Sequence, residues 1–441
     1  MTAEIAIMNR EAIALAADSA VTMVASGGEK IFTSANKLFA LSKYHPVGIM
    51  VYGNATFMGV PWEIIIKMYR TALGKRKFDS LDDYAEDFLN FLTGPKELFP
   101  EEIQGKYYKS MFTGYFLYLR DNIEKKVKKQ LENKGKLTDS EVKSIVTSQI
   151  EEEYKIWGKT PLIDSLPDDF LGIIERKYKK EIEETINKVF EKLPIGKKVK
   201  EHLIKIAIWI SSKFPGDSNT TSGIVIAGYG EKDIFPALIS FKLEAIIENT
   251  LKYIREFSEK VNHKTRAVII PFAQREMVHT FMEGVDPNYI RVEQKYLAEI
   301  FKQYSKIIIN EIKWEDEKEK KGFVAKLEKA NKEILKYFQK KTKDFREKNY
   351  AIPVINVVSF LPKDELAAMA ESLINLTSLK RRYTLEKETV AGPIDVAVIS
   401  KGDGFIWIKR KHYFTQELNP HFFKRYFMEV NDEEEKEGNN N

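Results

Sequence analysis

A threonine follows the initiator methionine directly, in the opening stretch MTAEIAIMNREAIALAADS. Because the second side chain is small, we expect Met1 to be removed and Thr2 to become the first residue of the mature chain. A threonine hydroxyl becomes a nucleophile when a nearby base accepts its proton. The free α-amine of the same residue, with an ordinary pKa of about 8, suits that task. Thr2 could therefore attack a carbonyl carbon.

Charged and backbone groups could support such a nucleophile. If the opening stretch forms a β-hairpin, cross-strand pairing places Asp18 opposite Thr2 or within one residue of it. Its carboxylate could orient a lysine, which we expect to be Lys30 rather than Lys37. Gly53 follows an apolar strand, and a glycine there allows close approach to a backbone N–H that could stabilise an oxyanion. Taken singly, each residue also has a structural explanation, as a strand end, a surface lysine or a turn.

The elements that must position these residues are predicted from periodicity. Pro61 and Pro362 each open a predicted helix, and 275–285 has helical spacing. Two Lys/Glu-rich amphipathic stretches, 79–214 and 287–349, predict long helices, and we expect the first to lie beside the cleft that holds Thr2. Alternating or continuous apolar residues predict strands near 3–8, 12–18, 37–42, 47–53, 222–230, 235–241, 265–272, 394–400 and 405–410.

Composition narrows the class of protein. The 441 residues include 70 Lys and Arg against 65 Asp and Glu, and this near balance gives no basic footprint for nucleic acid. Cysteine is absent, which excludes a disulfide or a thiolate nucleophile and fits a cytoplasmic location. The apolar runs are too short to cross a bilayer. Zinc-binding and nucleotide-binding motifs are absent as well, so we expect no cofactor, no metal and no membrane association.

The order of these residues resembles the proteasome β-type peptidases of the N-terminal nucleophile (Ntn) hydrolase superfamily. The matching stretches are TAEIAIMNREAIALAADSAVT, EKIF, YGNATFMG, SGIVIAGYG and ETVAGPIDVAVIS, and LAADS after an N-terminal Thr is the most specific of them. The resemblance covers about half of the chain and leaves out both helical stretches.

The resemblance implies roles for individual residues. Thr2 is the nucleophile and base, Asp18 and Lys30 are its charged partners, and the Gly53 N–H belongs to the oxyanion hole. The family's supporting aspartate falls on Glu388, which we expect near the site. A supporting serine of the family falls on Ala391, and another has no counterpart after the strand at 267–270.

The same resemblance implies an α+β fold, a four-layer αββα Ntn hydrolase sandwich with two helical insertions. Its discontinuous core comprises 1–70, 218–286 and 350–430, and the insertions are 71–217 and 287–349. The polar, charged segment 431–441 is expected to be a disordered acidic tail.

The predicted function is that of a threonine-dependent hydrolase that cleaves amide bonds, most simply a proteasome-like peptidase. Its substrate would be a peptide or a small amide, and its partners a homo-oligomer and a separate ATP-dependent unfoldase. The missing serines keep an alternative open, in which the chain is a catalytically silent scaffold that binds partners through its helical insertions. The retention of Thr2, Asp18 and Lys30 favours the enzyme over the scaffold.

Overall fold

A computed structural model describes residues 3–25, 28–214, 221–385 and 390–424. Three sequence predictions lie outside these ranges, namely the positions of Thr2 and Glu388 and the conformation of the tail 431–441. Within the described ranges the protein is a mixed fold of β-sheets and helices.

The strands of the described ranges are between 2 and 11 residues long. Those before residue 62 are β1 (Ala3–Asn9), β2 (Ala12–Ala17), β3 (Val21–Ala25), β4 (Gly28–Phe32), β5 (Leu38–Ala40), β6 (Val47–Gly53), β7 (Thr56–Phe57) and β8 (Val60–Pro61). Those that follow are β9 (Ser222–Gly228), β10 (Ala237–Ile247), β11 (Thr250–Lys260), β12 (Ala267–Ala273), β13 (Asp395–Ser400) and β14 (Gly404–Lys409).

Helices fill most of the remaining described chain. The first group is α1 (Trp62–Leu73), α2 (Leu81–Thr93), α3 (Glu101–Lys134), α4 (Asp139–Lys159), α5 (Phe170–Val189) and α6 (Lys197–Ile210). The second group is α7 (Glu276–Glu283), α8 (Pro287–Glu311), α9 (Glu317–Arg346), α10 (Ile352–Val358) and α11 (Lys363–Arg382), with a π-helical turn at Glu347–Ala351 and a short 3₁₀ turn at Gln416–Leu418. None of the helices in the described ranges combines the length and apolar character that crossing a lipid bilayer requires.

The described strands form two large sheets and two small hairpins. Sheet 1 has the order β12-β1-β2-β13-β14, and sheet 2 has the order β11-β10-β9-β6-β5. All neighbouring strands in both sheets are antiparallel. The hairpin β3–β4 pairs only with itself in the described ranges, as does β7–β8.

The β1–β2 hairpin has the register that its sequence predicts. Glu4 pairs with Ala17 and Met8 pairs with Ile13, which brings Asp18 beside Ala3. Asn9 closes the turn, because its side-chain oxygen accepts the amides of Glu11 and Ala12 while its side-chain amide donates to the Leu361 carbonyl. Strand β1 is thereby held inside sheet 1, between the edge strand β12 and the central strand β2.

Buried apolar side chains of the described residues form three clusters. One cluster contains side chains of both sheets and therefore lies between them, with Met8, Leu15, Met50, Val225 and Leu238 among its members. A second joins the other face of sheet 1 to α10 and α11, through Ile5, Ile7, Val358, Leu366 and Leu373. The third joins the other face of sheet 2 to helices α1–α6, through Ile49, Ile224, Ile239, Phe88 and Phe112.

Candidate functional site

The centre of the candidate site is the carboxylate of Asp18, which is 2% exposed. Its Oδ1 accepts the Ala3 amide at 3.0 Å and the Lys37 ammonium at 2.6 Å. Its Oδ2 accepts the amides of Ala20 at 3.1 Å and Ala391 at 3.3 Å. One side chain therefore ties together the beginning of β1, a buried lysine and the turn that precedes β13.

Lys37 forms a buried salt bridge with Asp18, and 5% of its side chain is exposed. Burial lowers the pKa of Lys37 from its ordinary value of 10.5, and the Asp18 carboxylate partly offsets that effect. The chain returns to Asp18 at this point because the Ala35 amide donates to the Ser19 carbonyl at 3.1 Å, and because the Lys37 carbonyl accepts the Val51 amide at 2.9 Å.

The prediction that Lys30 is the lysine oriented by Asp18 is wrong. Lys30 lies on β4, opposite Met23 of the small hairpin, and it is exposed. Its ammonium lies 5.2 Å from the centre of the Phe32 ring. The β3–β4 hairpin lengthens the chain between Asp18 and the lysine that returns to it, so the position belongs to Lys37.

A turn at residues 391–393 supports Asp18 from the other side. The Ser19 amide donates to the Ala391 carbonyl at 3.3 Å, and the Ser19 hydroxyl donates to the Pro393 carbonyl. Gly392 has φ +83°, and a Cβ at this position would lie 2.7 Å from the Thr33 carbonyl oxygen. Only glycine fits this backbone, because other residues would meet both strain and a steric clash.

Substituting Gly392→Ala is expected to destabilise the protein by roughly 1–3 kcal/mol, because alanine is strained at this φ and clashes with the Thr33 carbonyl. The measurement is urea unfolding, compared with the Gly402→Ala variant. A Cβ added at Gly402 would meet no atom within 4 Å, so its substitution is the matched control. Equal stabilities for the two variants would contradict the account of this turn.

Glu4 is a buried acid that is not among the predicted site residues. It is 1% exposed, and neither of its carboxyl oxygens has a hydrogen-bond partner among the residues that the structure describes. Burial raises the pKa of Glu4 from 4.5 to about 8, the charge of Lys37 opposes that rise, and the charge of Asp18 adds to it. The candidate site therefore holds a second carboxyl, only two positions after Thr2.

A second buried ion pair lies next to Asp18. Asp395, 2% exposed, pairs with Ala17 across sheet 1. Its carboxylate accepts the Lys411 amide at 2.8 Å and also the Lys411 ammonium. The charge of Lys411 reaches Lys37, where it further lowers the pKa of that lysine. The two ion pairs thus form one electrostatic cluster at this end of sheet 1.

A cavity of about 180 Å³ opens beside Lys37. Gly53 borders it at the end of β6, with φ +79°. The first turn of α1 supplies another wall, where the Trp62 ring N–H donates to the Ser222 hydroxyl at 2.9 Å. The described residues that line the cavity are Val21, Ala35, Asn36, Lys37, Val51, Gly53, Asn54, Ala55, Pro61, Trp62 and Glu63.

The expectation that the helices of 79–214 lie beside the cleft is wrong. None of the cavity-lining residues in the described ranges belongs to this segment. Helices α2–α6 instead cover the outer face of sheet 2, through the cluster that contains Phe88, Phe112 and Ile239. They cover the face of sheet 2 that turns away from sheet 1, and the helical part of the described cavity wall comes from α1.

The structure therefore brings together Asp18 and Gly53 of the predicted site residues, with Lys37 between them, and leaves Lys30 outside. Thr2 and Glu388 lie outside the described residues, although Thr2 is one peptide bond from Ala3. Among the residues that the structure describes, no group of three or more His, Cys, Asp or Glu side chains is arranged to hold a metal ion.

Signals for two of the missed acids exist in the sequence. Glu4 is in phase with Ala6 and Met8, and Asp395 is in phase with Ala397 and Ile399, so period-two alternation puts both acids on the face that turns inward. An acidic residue at an inward position of a buried strand is uncommon, so this pattern indicates a candidate functional residue.

Comparisons with known proteins add little to this geometry. No protein-family profile matches the sequence, and no curated protein does. An Anbu mutant from Hyphomicrobium sp. strain MC1 aligns with a TM-score of 0.27 and 9% identity, over 98% of this chain and 97% of that chain. Anbu (ancestral beta-subunit) from Yersinia bercovieri aligns with a TM-score of 0.25 and 9% identity, over 97% of this chain and 96% of that chain. Values this low carry no conclusion about this chain.

Proposed function

We propose that this chain is a threonine-dependent Ntn hydrolase that cleaves the amide bonds of peptides or small amides, most simply a proteasome-like peptidase. The observation that carries the proposal is the pair of contacts made by Asp18. Its carboxylate holds the amide of Ala3 and the ammonium of Lys37, beside a cavity bordered by Gly53. Thr2 is joined to Ala3 by one peptide bond.

The proposed reaction uses Thr2 as both nucleophile and base. The Thr2 hydroxyl oxygen attacks the substrate carbonyl carbon while its proton passes to the free α-amine, directly or through one water. The Lys37 charge favours the neutral amine, and the Gly53 N–H serves as a donor to the developing oxyanion. The proton then moves to the departing amine, which leaves an ester on Thr2. Water hydrolyses that ester and restores the hydroxyl.

The proposal includes the fold of the superfamily, a four-layer αββα sandwich. In support, the three buried clusters follow the order that such layers require. Helices α10 and α11 pack on sheet 1, sheet 1 packs on sheet 2, and sheet 2 packs on α1–α6. The stretches 71–217 and 287–349 are then insertions into this core.

A catalytically silent scaffold is the second candidate. It is favoured by Ala391, which offers Asp18 a backbone amide and brings no hydroxyl to the site. The exposed apolar side chains of α8 and α9 give such a scaffold a surface to use. The two candidates differ in whether Thr2 reacts.

Covalent labelling tests the proposal directly. The purified full chain is treated with a peptide epoxyketone, which reacts with a hydroxyl and a free amine on the same residue. Mass mapping is expected to find Met1 removed and the label on Thr2, because only a processed threonine offers both groups. A Thr2→Ala variant, which keeps the amine, is expected to remain unlabelled, and Thr2→Ser to be labelled.

Three outcomes count against the proposal. Retained Met1 with no label supports the scaffold, because the nitrogen of Thr2 is then an amide and cannot act as the base. A label on another residue moves the nucleophile elsewhere. If the Thr2→Ala variant still hydrolyses a fluorogenic peptide amide, the nucleophile is likewise a residue other than Thr2.

A further inference from the structure

Helix α8 carries an apolar stripe that nothing in the described ranges covers. Its members are spaced three or four residues apart, which aligns them on one face over about 27 Å. Each is between 47% and 60% exposed. The residues of the stripe are Tyr289, Val292, Tyr296, Ile300, Tyr304 and Ile307.

Helix α9 carries a second stripe. Ile334 is 49% exposed, Tyr337 is 64% exposed and Phe345 is 59% exposed. The Lys341 ammonium lies 5.6 Å from the centre of the Tyr337 ring, so its stem covers part of this stripe. No residue of α9 is buried, which is unusual for a helix of 30 residues in a globular protein.

The two stripes lie on the same face of the α8–α9 hairpin. The helices meet through Ser305, whose hydroxyl accepts the Asn331 side-chain amide at 2.6 Å. Successive residues of a helix are rotated by about 100° about its axis. Tyr304 is therefore rotated away from Ser305 on α8, and Ile334 is rotated away from Asn331 on α9 in the same sense, each measured about its own helix axis. Because the helices run antiparallel, rotation in one sense carries both stripes to a single face.

We propose that this face binds the same face of a second copy of the chain and that the two hairpins form a four-helix bundle. Nine large apolar side chains on these two described helices, each exposing roughly 100 Å², offer about 900 Å² per chain. A stable interface of standard size needs about 800 Å² per partner. The available area therefore suffices for a dimer.

The shape and chemistry of the face fit a second hairpin. Two adjacent apolar stripes at spacings of three and four match the packing of helices in bundles. The tyrosines keep a polar tip, and aromatic residues of this kind are enriched in protein interfaces. A two-fold axis lying in the plane of the contact, parallel to the face, would bring the stripes of the two copies together in an isologous contact. None of the nine stripe residues is among the described residues that line the cavity beside Lys37, so this proposal is independent of the proposed catalysis.

The test is the self-association of the full chain, measured by analytical ultracentrifugation over a range of concentrations. The double variant Tyr296→Glu with Ile300→Glu is expected to weaken the hairpin contact by at least about 100-fold, because it places carboxylates in the centre of an apolar interface. The control is Ile234→Glu, which changes an isoleucine that is 78% exposed on a different surface. It is expected to associate like the wild type.

A second double variant, Tyr296→Ala with Ile300→Ala, guards against misfolding because alanine favours helix. It is expected to weaken association while the circular dichroism spectrum stays unchanged. A wild-type chain that remains monomeric up to about 100 µM would overturn the proposal. So would association that survives both double variants, association that is lost equally in Ile234→Glu, or a monomer that instead co-sediments with phosphatidylserine vesicles.

Discussion

Lys37→Ala is expected to lower the turnover of a fluorogenic peptide amide by roughly 10²–10³-fold, the loss that follows removal of one preorganised electrostatic contributor to a transition state. Lys30→Ala is expected to leave turnover unchanged. The two substitutions remove the same side chain, and they differ only in where the structure places it. Lys37 is in a buried salt bridge with Asp18, whereas Lys30 is exposed on the β3–β4 hairpin.

The physical reason is the charge beside the proposed nucleophile. Lys37 shares an oxygen of Asp18 with the amide of Ala3, so its ammonium lies close to the start of β1. A positive charge at this position favours the neutral form of a nearby amine and eases the loss of a hydroxyl proton. The exposed ammonium of Lys30 is screened by solvent and has no such effect.

Removing Lys37 also leaves Asp18 buried without its cation, which costs about 3–5 kcal/mol in comparable pairs. The thermal unfolding midpoint of each variant is therefore measured as well. The turnover assay is then run at a temperature at which both variants remain folded. Folded Lys37→Ala enzyme with wild-type turnover would contradict this assignment. A large loss in Lys30→Ala would place the functional lysine on the small hairpin instead.

Glu4→Gln is expected to change the free energy of unfolding more favourably at pH 7 than at pH 4, by about 3 kcal/mol. The pKa of Glu4 is about 8 in the folded state against an ordinary 4.5, because the carboxyl is buried and accepts no hydrogen bond from the described part of the chain. Folding at neutral pH therefore forces this group to take up a proton. Glutamine keeps the shape of the side chain and has no proton to gain.

The sign follows from the direction of the shift. Below about pH 4.5 the carboxyl is protonated in both states, so Glu4 costs nothing through its ionisation. As the pH rises towards 8, the unfolded chain ionises first, and the folded state loses stability. Above about pH 8 the cost no longer grows. The stability advantage of Glu4→Gln should grow with pH over the same interval.

Urea unfolding of the wild type and the variant between pH 4 and pH 9 measures this difference. Glu11→Gln is the matched control, since Glu11 is an exposed acid next to the turn of the same hairpin. Its substitution should show no comparable dependence on pH. A difference between Glu4→Gln and wild type that is constant from pH 4 to pH 9 would show that Glu4 ionises normally.

Local pattern is sufficient for much of the scaffold. The alternation of apolar residues in 3–17 predicts the β1–β2 hairpin, and its register follows because a slip by one residue would turn the buried face outward. Strand β6 and helices α1 and α11 also lie where apolar spacing and proline place them. By contrast, β11 carries charged residues along most of its length, so alternation does not predict it; its pairing with β10 holds it in sheet 2.

The amino-acid pattern is enough to predict most elements, the place of Asp18 at the end of the opening hairpin, and the position of Gly53 at the end of β6. These depend on contacts between near neighbours in sequence, which periodicity encodes. That Lys37 reaches Asp18 while Lys30 does not is known only from the folded structure, because it depends on where the chain returns after the β3–β4 hairpin. The raised pKa of Glu4 likewise arises from burial between two sheets, which no local pattern measures.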